Sequence, residues 1–284
     1  MPELPEVETV TRGLCHLVYG EDRKNDSSNQ GENLPTIRNI EVRNYNLRIP
    51  VPQSVFSVVG AQILNIHRRA KFILIETSQG SLINHLGMTG KWRLKMGPEI
   101  KHDHLLLHLD NNISLIYNDV RRFGFIDYAK ELSELQNPWL RHLGPEPLDS
   151  HEFNAHYLQK ICHKKTSAIK TLLMNQKVVV GIGNIYASEI LFRSGISPLR
   201  HGGQIKKDEI KKLVLASRSI LKAAIKKGGT TIRDFKSAEG EGGYFATKLK
   251  VYGRVGLPCP VCAQPICKVV LVGRSTFYCK NCQK

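Results

Sequence analysis

The chain has 284 residues, is 41% hydrophobic and carries a formal charge of +16. That length and composition suit one large or two moderate domains with real cores and exclude global disorder. No apolar run approaches the roughly 20 residues that span a bilayer, and the acidic Met1-Pro2-Glu3 opening lacks the apolar segment of a secretory signal, so a cytoplasmic location is expected.

Val7, Val10, Leu14 and Leu17 recur at helical spacing behind Pro5, with Glu6 and Glu8 in the first turn, and predict an amphipathic helix over 6–18. Pro5 suits the first helical position, where a missing N–H costs nothing. Residues 21–35 are polar and aperiodic, a loop insertion or a disordered stretch. From 36 to 129 come short β-type runs: TIRNIEVRNY, KFILIET, SLINHL, KWRLK, HLLLHLD, ISLIY and FGFIDY. Breakers such as Ser78-Gln79-Gly80, Gly97-Pro98 and Asn111-Asn112 separate them, which predicts an antiparallel sandwich or barrel. Leu143-Gly144-Pro145-Glu146-Pro147 is a rigid, turn-rich connector.

Beyond it the character changes. Stretches near 150–162, 166–175, 184–193 and 206–227 read as helices, and the Gly-punctuated run 178–184 opens the third of them. Ser237-Ala238-Glu239-Gly240-Glu241-Gly242-Gly243 reads as a flexible loop, and the last 35 residues form a small cysteine-bearing module. No internal repeat is visible.

Charge divides the same way. Residues 151–284 hold 24 Lys/Arg against 7 Asp/Glu, a net +17, whereas residues 1–150 hold 17 against 18, a net −1. A basic half joined to a neutral half is the footprint of a polyanion binder, DNA or RNA; a membrane surface or a solubilising face would also fit. The seven cysteines, an odd count without a signal peptide, argue against a disulfide framework. Cys259-x2-Cys262, sixteen residues, then Cys279-x2-Cys282 has the spacing of a four-cysteine zinc module. One tetrahedral ion with four thiolates and no open position is structural, and it replaces a core that about 35 residues cannot build. Cys267 reads as a packed free thiol, and Cys15 and Cys162 as helix-core residues.

Removal of Met1 would leave Pro2 as the first residue. An α-amine titrates near 8, far below a lysine, so part of it is neutral at pH 7. A secondary amine attacking a sugar C1′ forms a cationic iminium that eases later elimination, and the adjacent Glu3 could shuttle protons. By themselves these residues are equally a common start and an ordinary helix opening.

Met1-Pro2-Glu3-Leu4-Pro5-Glu6-Val7-Glu8-Thr9 resembles the opening of the bacterial formamidopyrimidine-DNA glycosylase family. The resemblance continues through Arg68-Arg69-Ala70-Lys71, His85-Leu86-Gly87-Met88-Thr89-Gly90, Lys101-His102-Asp103-His104 and Asn118-Asp119-Val120-Arg121-Arg122-Phe123-Gly124. It extends through His142–Pro147, Gly181–Glu189, Gly228-Gly229-Thr230-Thr231, Val251-Tyr252-Gly253-Arg254 and Arg274–Cys279, in family order over essentially the whole chain.

The resemblance implies an α+β fold: an N-terminal helix plus antiparallel β-sandwich over 1–130, a helix–two-turn–helix domain over 145–235 and a C-terminal four-cysteine zinc finger over 250–284. It implies base-excision repair of damaged double-stranded DNA. A monomeric glycosylase and abasic-site lyase would remove 8-oxoguanine and formamidopyrimidines, then nick by β- and δ-elimination. Structural Zn2+ would be its sole cofactor. Pro2 would form the Schiff base, Glu3 assist ring opening and base release, Lys71 donate the proton in β-elimination, and Arg274 serve δ-elimination and bind phosphate. A guanidinium stays protonated at neutral pH, so a phosphate clamp is the physically sounder role for Arg274. Met88, Arg121 and Phe123 would fill the void left by the everted nucleotide. Asn184, His102 and Lys164 would be further DNA contacts, Asn184 at a helix start suited to anions.

Three departures stand out: Val120 where many relatives carry proline, the long 21–35 insertion, and an acidic Glu241 in the loop that covers the everted base in relatives. The Val120 substitution is expected to loosen the turn aiming Arg121. The competing readings are an endonuclease VIII-type glycosylase for oxidised pyrimidines, a non-catalytic zinc-finger DNA-binding protein, and a degenerate relative that binds without cutting.

Overall fold

The computed structural model describes residues 2–20, 34–98, 100–229 and 249–284. Met1, most of the 21–35 insertion, Thr230, Thr231 and the Ser237–Gly243 stretch with Glu241 lie outside the described residues. The chain divides into two compact units, one carried by Glu6–Arg141 and including Pro2, the other combining Glu3–Pro5 with His142–Lys227 and the closing segment. No helix among the described residues is long and apolar enough to cross a membrane.

Helix α1 spans Leu4–Tyr19, starting two residues before the 6–18 predicted from spacing, because Leu4 is itself fully buried. Among the described residues eight strands follow: β1 Ile37–Val42, β2 Ile63–Arg69, β3 Phe72–Thr77, β4 Gly80–His85, β5 Lys91–Leu94, β6 Asp103–Leu109, β7 Ser114–Asn118 and β8 Phe125–Ala129. They pair antiparallel in two four-stranded sheets, ordered β1-β6-β7-β5 and β2-β3-β4-β8. Alternate side chains (Ile73 and Ile75 on β3, Leu105, Leu107 and Leu109 on β6, Leu115 and Tyr117 on β7) enter one core with Val7, Val10, Leu14 and Val18 of α1. Each such side chain is worth about 1.5–3 kcal/mol when fully buried, so helix and sheets hold one another. Trp92 is buried there with its indole N–H donated to Asn84 Oδ1 at 2.9 Å, and Asn84 Nδ2 donates to the Phe125 carbonyl at 2.9 Å. β2 has no counterpart among the runs read from sequence. Only Ile63 and Ile66 of its seven residues are fully buried, so its alternation is diluted.

In the second unit α2 spans Ala155–Cys162, α3 Ile169–Met174, α4 Asn184–Ser194 and α5 Lys207–Lys226. The predicted 150–162 helix starts late because Asn154 caps it, its side chain accepting from the Tyr157 N–H at 2.9 Å. Gly195, at φ 71°, ends α4 in the left-handed conformation. Phe153, Leu158, Ile169, Leu173, Ile182, Tyr186, Ile190, Leu213 and Leu221 build the core. At the C-terminus β9 Cys267–Leu271 and β10 Arg274–Tyr278 form a hairpin over a small core in which Val251, Ile266 and Phe277 are buried with Cys259 and Cys279. Buried Glu189 of α4 accepts from the N–H groups of Lys250, Val251 and Tyr252 at 2.8–3.0 Å, which anchors the entry to this module. Gln283 Nε2 anchors its exit by donating to the Ile196 carbonyl at 2.8 Å.

Candidate active site

Pro2 is buried. The next residue, Glu3, is 3% exposed, and its carboxylate is seated on the start of α4. Its oxygens accept from the N–H groups of Gly183 at 2.8 Å, Ile185 at 2.9 Å and Tyr186 at 3.3 Å. A helix N-terminus offers unpaired donors and favours a negative charge, so this carboxylate completes α4 as well as being fixed by it. Gly183 is required: a Cβ there would lie 2.4 Å from the Glu3 carboxyl carbon. The Gly-punctuated run read from sequence therefore makes room for the chain start.

Asn184 begins α4, with Nδ2 donating to the Ser275 carbonyl at 3.0 Å. Lys170 of α3, 1% exposed, donates to Asn184 Oδ1 at 2.5 Å, Thr276 Oγ1 at 2.8 Å and the Ser275 carbonyl at 3.2 Å. Burial pushes its ammonium down to about 8, with Glu3 pulling upward and Arg274 pressing further down. Asn184, Lys170 and the strand that carries Arg274 are thus one hydrogen-bonded cluster, and Arg274 itself is exposed at the start of β10. Lys164 is exposed in the loop between α2 and α3, at φ 55°.

The four predicted ligands Cys259, Cys262, Cys279 and Cys282 have their sulfurs all within 4.8 Å of one another. Cys259 and Cys282 stand 3.8 Å apart, and Cys262 and Cys279 3.4 Å. Sulfurs at about 2.3 Å from a tetrahedral zinc are separated by about 3.8 Å, so the cluster fits the ion. Cys267, half-buried, is not among the four.

In the first unit, the loop joining β7 to β8 carries Arg121 and Phe123, and the loop after β4 carries Met88. Arg121 and Phe123 are exposed and stacked, the guanidinium carbon 4.8 Å from the ring centre, whereas Met88 is half-buried. Fully buried Asp119 holds the two loops together. Its Oδ1 accepts from Thr89 Oγ1 at 2.5 Å and its Oδ2 from the Gly124 N–H at 2.8 Å, while Thr89 Oγ1 accepts from the Arg121 N–H at 3.0 Å. Val120 is exposed, and the Arg121 N–H beside it is held by Thr89 Oγ1, which is itself bonded to Asp119. Gly87, at φ 64°, lies against Phe123, where a Cβ would come within 2.3 Å of its carbonyl carbon. His102, at φ 74° and half-buried, accepts from the Asp119 N–H through its carbonyl at 3.2 Å.

Lys71 occupies the two-residue turn between β2 and β3 and is 7% exposed. The residue after it, Phe72, pairs with His85 of β4. The Gly87 N–H donates to His85 Nδ1 at 3.0 Å, so a neutral ring carries its proton on Nε2. Burial holds His85 neutral, down to about 4, and Lys71 and Arg48 add to that. Asp119, Thr89, Lys170 and His85 were not singled out from sequence as site residues. Asp119, Thr89 and His85 lie inside the quoted motifs with no role read for them, and Lys170 lies in none of the motifs.

Three family models match the chain: the formamidopyrimidine-DNA glycosylase N-terminal domain over 1–126, its H2TH domain over 143–236, and the zinc finger found in FPG and IleRS over 256–284. A formamidopyrimidine-DNA glycosylase of Hydrogenovibrio crunogenus is 47% identical, covering 100% of this chain and 97% of the relative. That of Bdellovibrio bacteriovorus is 43% identical over the full length of both. Among solved structures, the MutM (Fpg) protein of Thermus thermophilus superposes with a TM-score of 0.85 at 34% identity, covering 99% of this chain and 98% of that one. The Lactococcus lactis Fpg in complex with an abasic site containing DNA does so with a TM-score of 0.85 at 34% identity, covering 99% of each chain.

Proposed function

Since the chain belongs to the formamidopyrimidine-DNA glycosylase family, we propose that Pro2, freed by loss of Met1, is the nucleophile of a reaction that excises an oxidised purine and then cuts the strand. The enzyme is a base-excision-repair DNA glycosylase, with the abasic-site lyase activity characteristic of its family, and it carries a structural zinc finger. We assign it 8-oxoguanine and formamidopyrimidines in duplex DNA as substrates, and a monomer working at nucleoid DNA in the cytoplasm. Residues 1–130 form the catalytic domain, 145–235 the helix–two-turn–helix domain and 250–284 the finger.

The observation that carries the reading is the fixed Glu3. Both its oxygens are engaged by α4, so the residue bonded to Pro2 has one orientation. An amine attached to such a fixed point loses little freedom when it meets a sugar carbon. The Pro2 nitrogen forms a bond to C1′ and gives up its proton while the base departs with the glycosidic electron pair and takes up a proton; the C1′–O4′ bond then breaks, Glu3 assisting proton delivery to O4′, and the nitrogen lone pair completes the C1′ iminium. The resulting iminium acidifies C2′. Loss of a C2′ proton breaks the C3′–O bond, with Lys71 supplying the leaving group's proton, and a second elimination breaks C5′–O. Arg274 and Asn184 hold phosphates near the cut. Eversion of the nucleotide costs a few kcal/mol of stacking and pairing. Phe123 and Met88 offset it by filling the void, and Arg121 donates to the orphaned base. His102 and Lys164 add backbone contacts.

Borohydride reduction of the enzyme with an 8-oxoguanine duplex should trap a covalent complex. A variant extended at its N-terminus so that Met1 is retained should bind the duplex and trap nothing. Full trapping and incision by that variant would remove Pro2 from the mechanism. Faster excision of thymine glycol than of 8-oxoguanine would favour the endonuclease VIII-type alternative.

A further inference from the structure

The turn that presents Lys71 has an unfavourable backbone conformation. Ala70, before it, sits at φ 54°, a left-handed conformation that costs a residue with a Cβ roughly 1–2 kcal/mol. Such a turn persists only where its surroundings over-determine it. Besides the Arg69–Phe72 pairing that closes the hairpin, the turn is held by Arg68, at the end of β2, whose side chain is 8% exposed. Its Nη1 donates to the Ala70 carbonyl at 3.0 Å and its Nε donates to Glu8 Oε2 at 2.8 Å. Glu8 lies on α1, and its other oxygen accepts from Arg12 Nε at 2.8 Å. The Ala70 carbonyl and the Lys71 N–H share one rigid peptide plane. Whatever holds that carbonyl sets the direction in which the Lys71 side chain leaves the backbone.

Resting on the role proposed above for Lys71, we infer that Arg68 and Glu8 are positioning residues of the reaction: the carboxylate on α1 aims the guanidinium, and the guanidinium locks the turn that aims Lys71. Burial tends to raise the Glu8 carboxyl, but Arg68 and Arg12 hold it below the ordinary carboxylate range, so the clamp is charged at working pH. The fork shape of the guanidinium matters, because two acceptors in different directions are served by one planar group. A lysine there keeps the charge opposite Glu8 and loses the second arm.

The test uses the full-length protein in single-turnover reactions, with base release from an 8-oxoguanine duplex and strand cleavage of a preformed abasic duplex read separately. Arg68→Ala should change the ratio of the two rates in the same direction as Lys71→Ala, slowing the affected step by about tenfold to a hundredfold. The double variant should be no slower than Lys71→Ala alone. Arg68→Lys and Glu8→Gln, melting within a few degrees of the parent, should show the same ratio change to a smaller extent. Additive losses in the double variant, or equal losses in both steps that track a lowered melting temperature, would show Arg68 to be merely structural and overturn the inference. If Lys71→Ala itself reacts like the parent in both steps, the role of Lys71 falls and the inference falls with it.

Discussion

Two β-hairpins in this molecule each set a cation at a two-residue turn, and they do so by opposite means. The β2–β3 turn, Ala70-Lys71, is buried, with Ala70 at φ 54° and its carbonyl gripped by Arg68. The β9–β10 turn, Val272-Gly273, has both residues left-handed, at φ 45° and 68°, and Val272 is 82% exposed. Arg274 follows it, in a module whose core is a few residues and whose cohesion comes from four thiolates around zinc. The proton donor proposed in Lys71 has to be closely aimed, which a buried turn and a rigid clamp provide. An arginine that binds phosphate is always charged and brings its own fork geometry, so a solvent-facing hairpin suffices.

Removing the metal breaks the second arrangement and spares the first. The intact protein should hold one equivalent of zinc. Chelation or Cys259→Ser should abolish measurable duplex binding while the sandwich still melts cooperatively, since structural zinc is worth on the order of 10 kcal/mol to an isolated finger. Duplex binding that survived metal loss would show the finger to be dispensable. Lys71→Ala should slow its chemical step by about 10²–10⁴ with duplex affinity unchanged. A matching loss of affinity would make Lys71 a binding residue instead. Arg274→Ala should show the reverse pattern: affinity weaker by about 1–3 kcal/mol, and a plot of log affinity against log salt shallower by about one unit.

A smaller effect distinguishes the buried cation next to that hairpin. Lys170 titrates at about 8 in the fold against an ordinary 10.5, so between those values the unfolded chain binds more protons. Stability therefore rises with pH across that window, and the rise should vanish from the thermal melts of Lys170→Met. The smallest contrast lies in the turns. Val272→Gly should stabilise by up to about 1 kcal/mol without touching catalysis. Ala70→Gly, by releasing the turn, should slow the Lys71 step for a comparable stability change.

What could be read from the amino-acid order was what depends on near neighbours. The zinc ligands are two local C-x2-C turns, α1 declares itself through Val7, Val10 and Leu14, and seven of the eight sandwich strands show as apolar runs. β2 escaped because Asn65, His67, Arg68 and Arg69 face outward or sit half-buried, leaving two isoleucines to signal it. Asp119, Thr89 and Lys170 escaped for a different reason. Each acts through partners brought close by folding, Lys170 through Thr276 more than a hundred residues away, and nothing in a local window marks such a pairing. The Arg121 turn makes the same point: the bonds that tie it to the Met88 loop run between Asp119 and Thr89, thirty residues apart in the sequence.

The seat of Glu3 on α4 has a bearing on how the enzyme is made. Its partners Gly183 and Ile185 leave the ribosome some 180 residues after it does, on the order of ten to forty seconds later at ordinary translation speeds. Throughout that interval Glu3 lacks the N–H groups that fix its carboxylate, so a residue made early is secured late. The chemistry proposed for Pro2 therefore has to wait until most of the polypeptide exists.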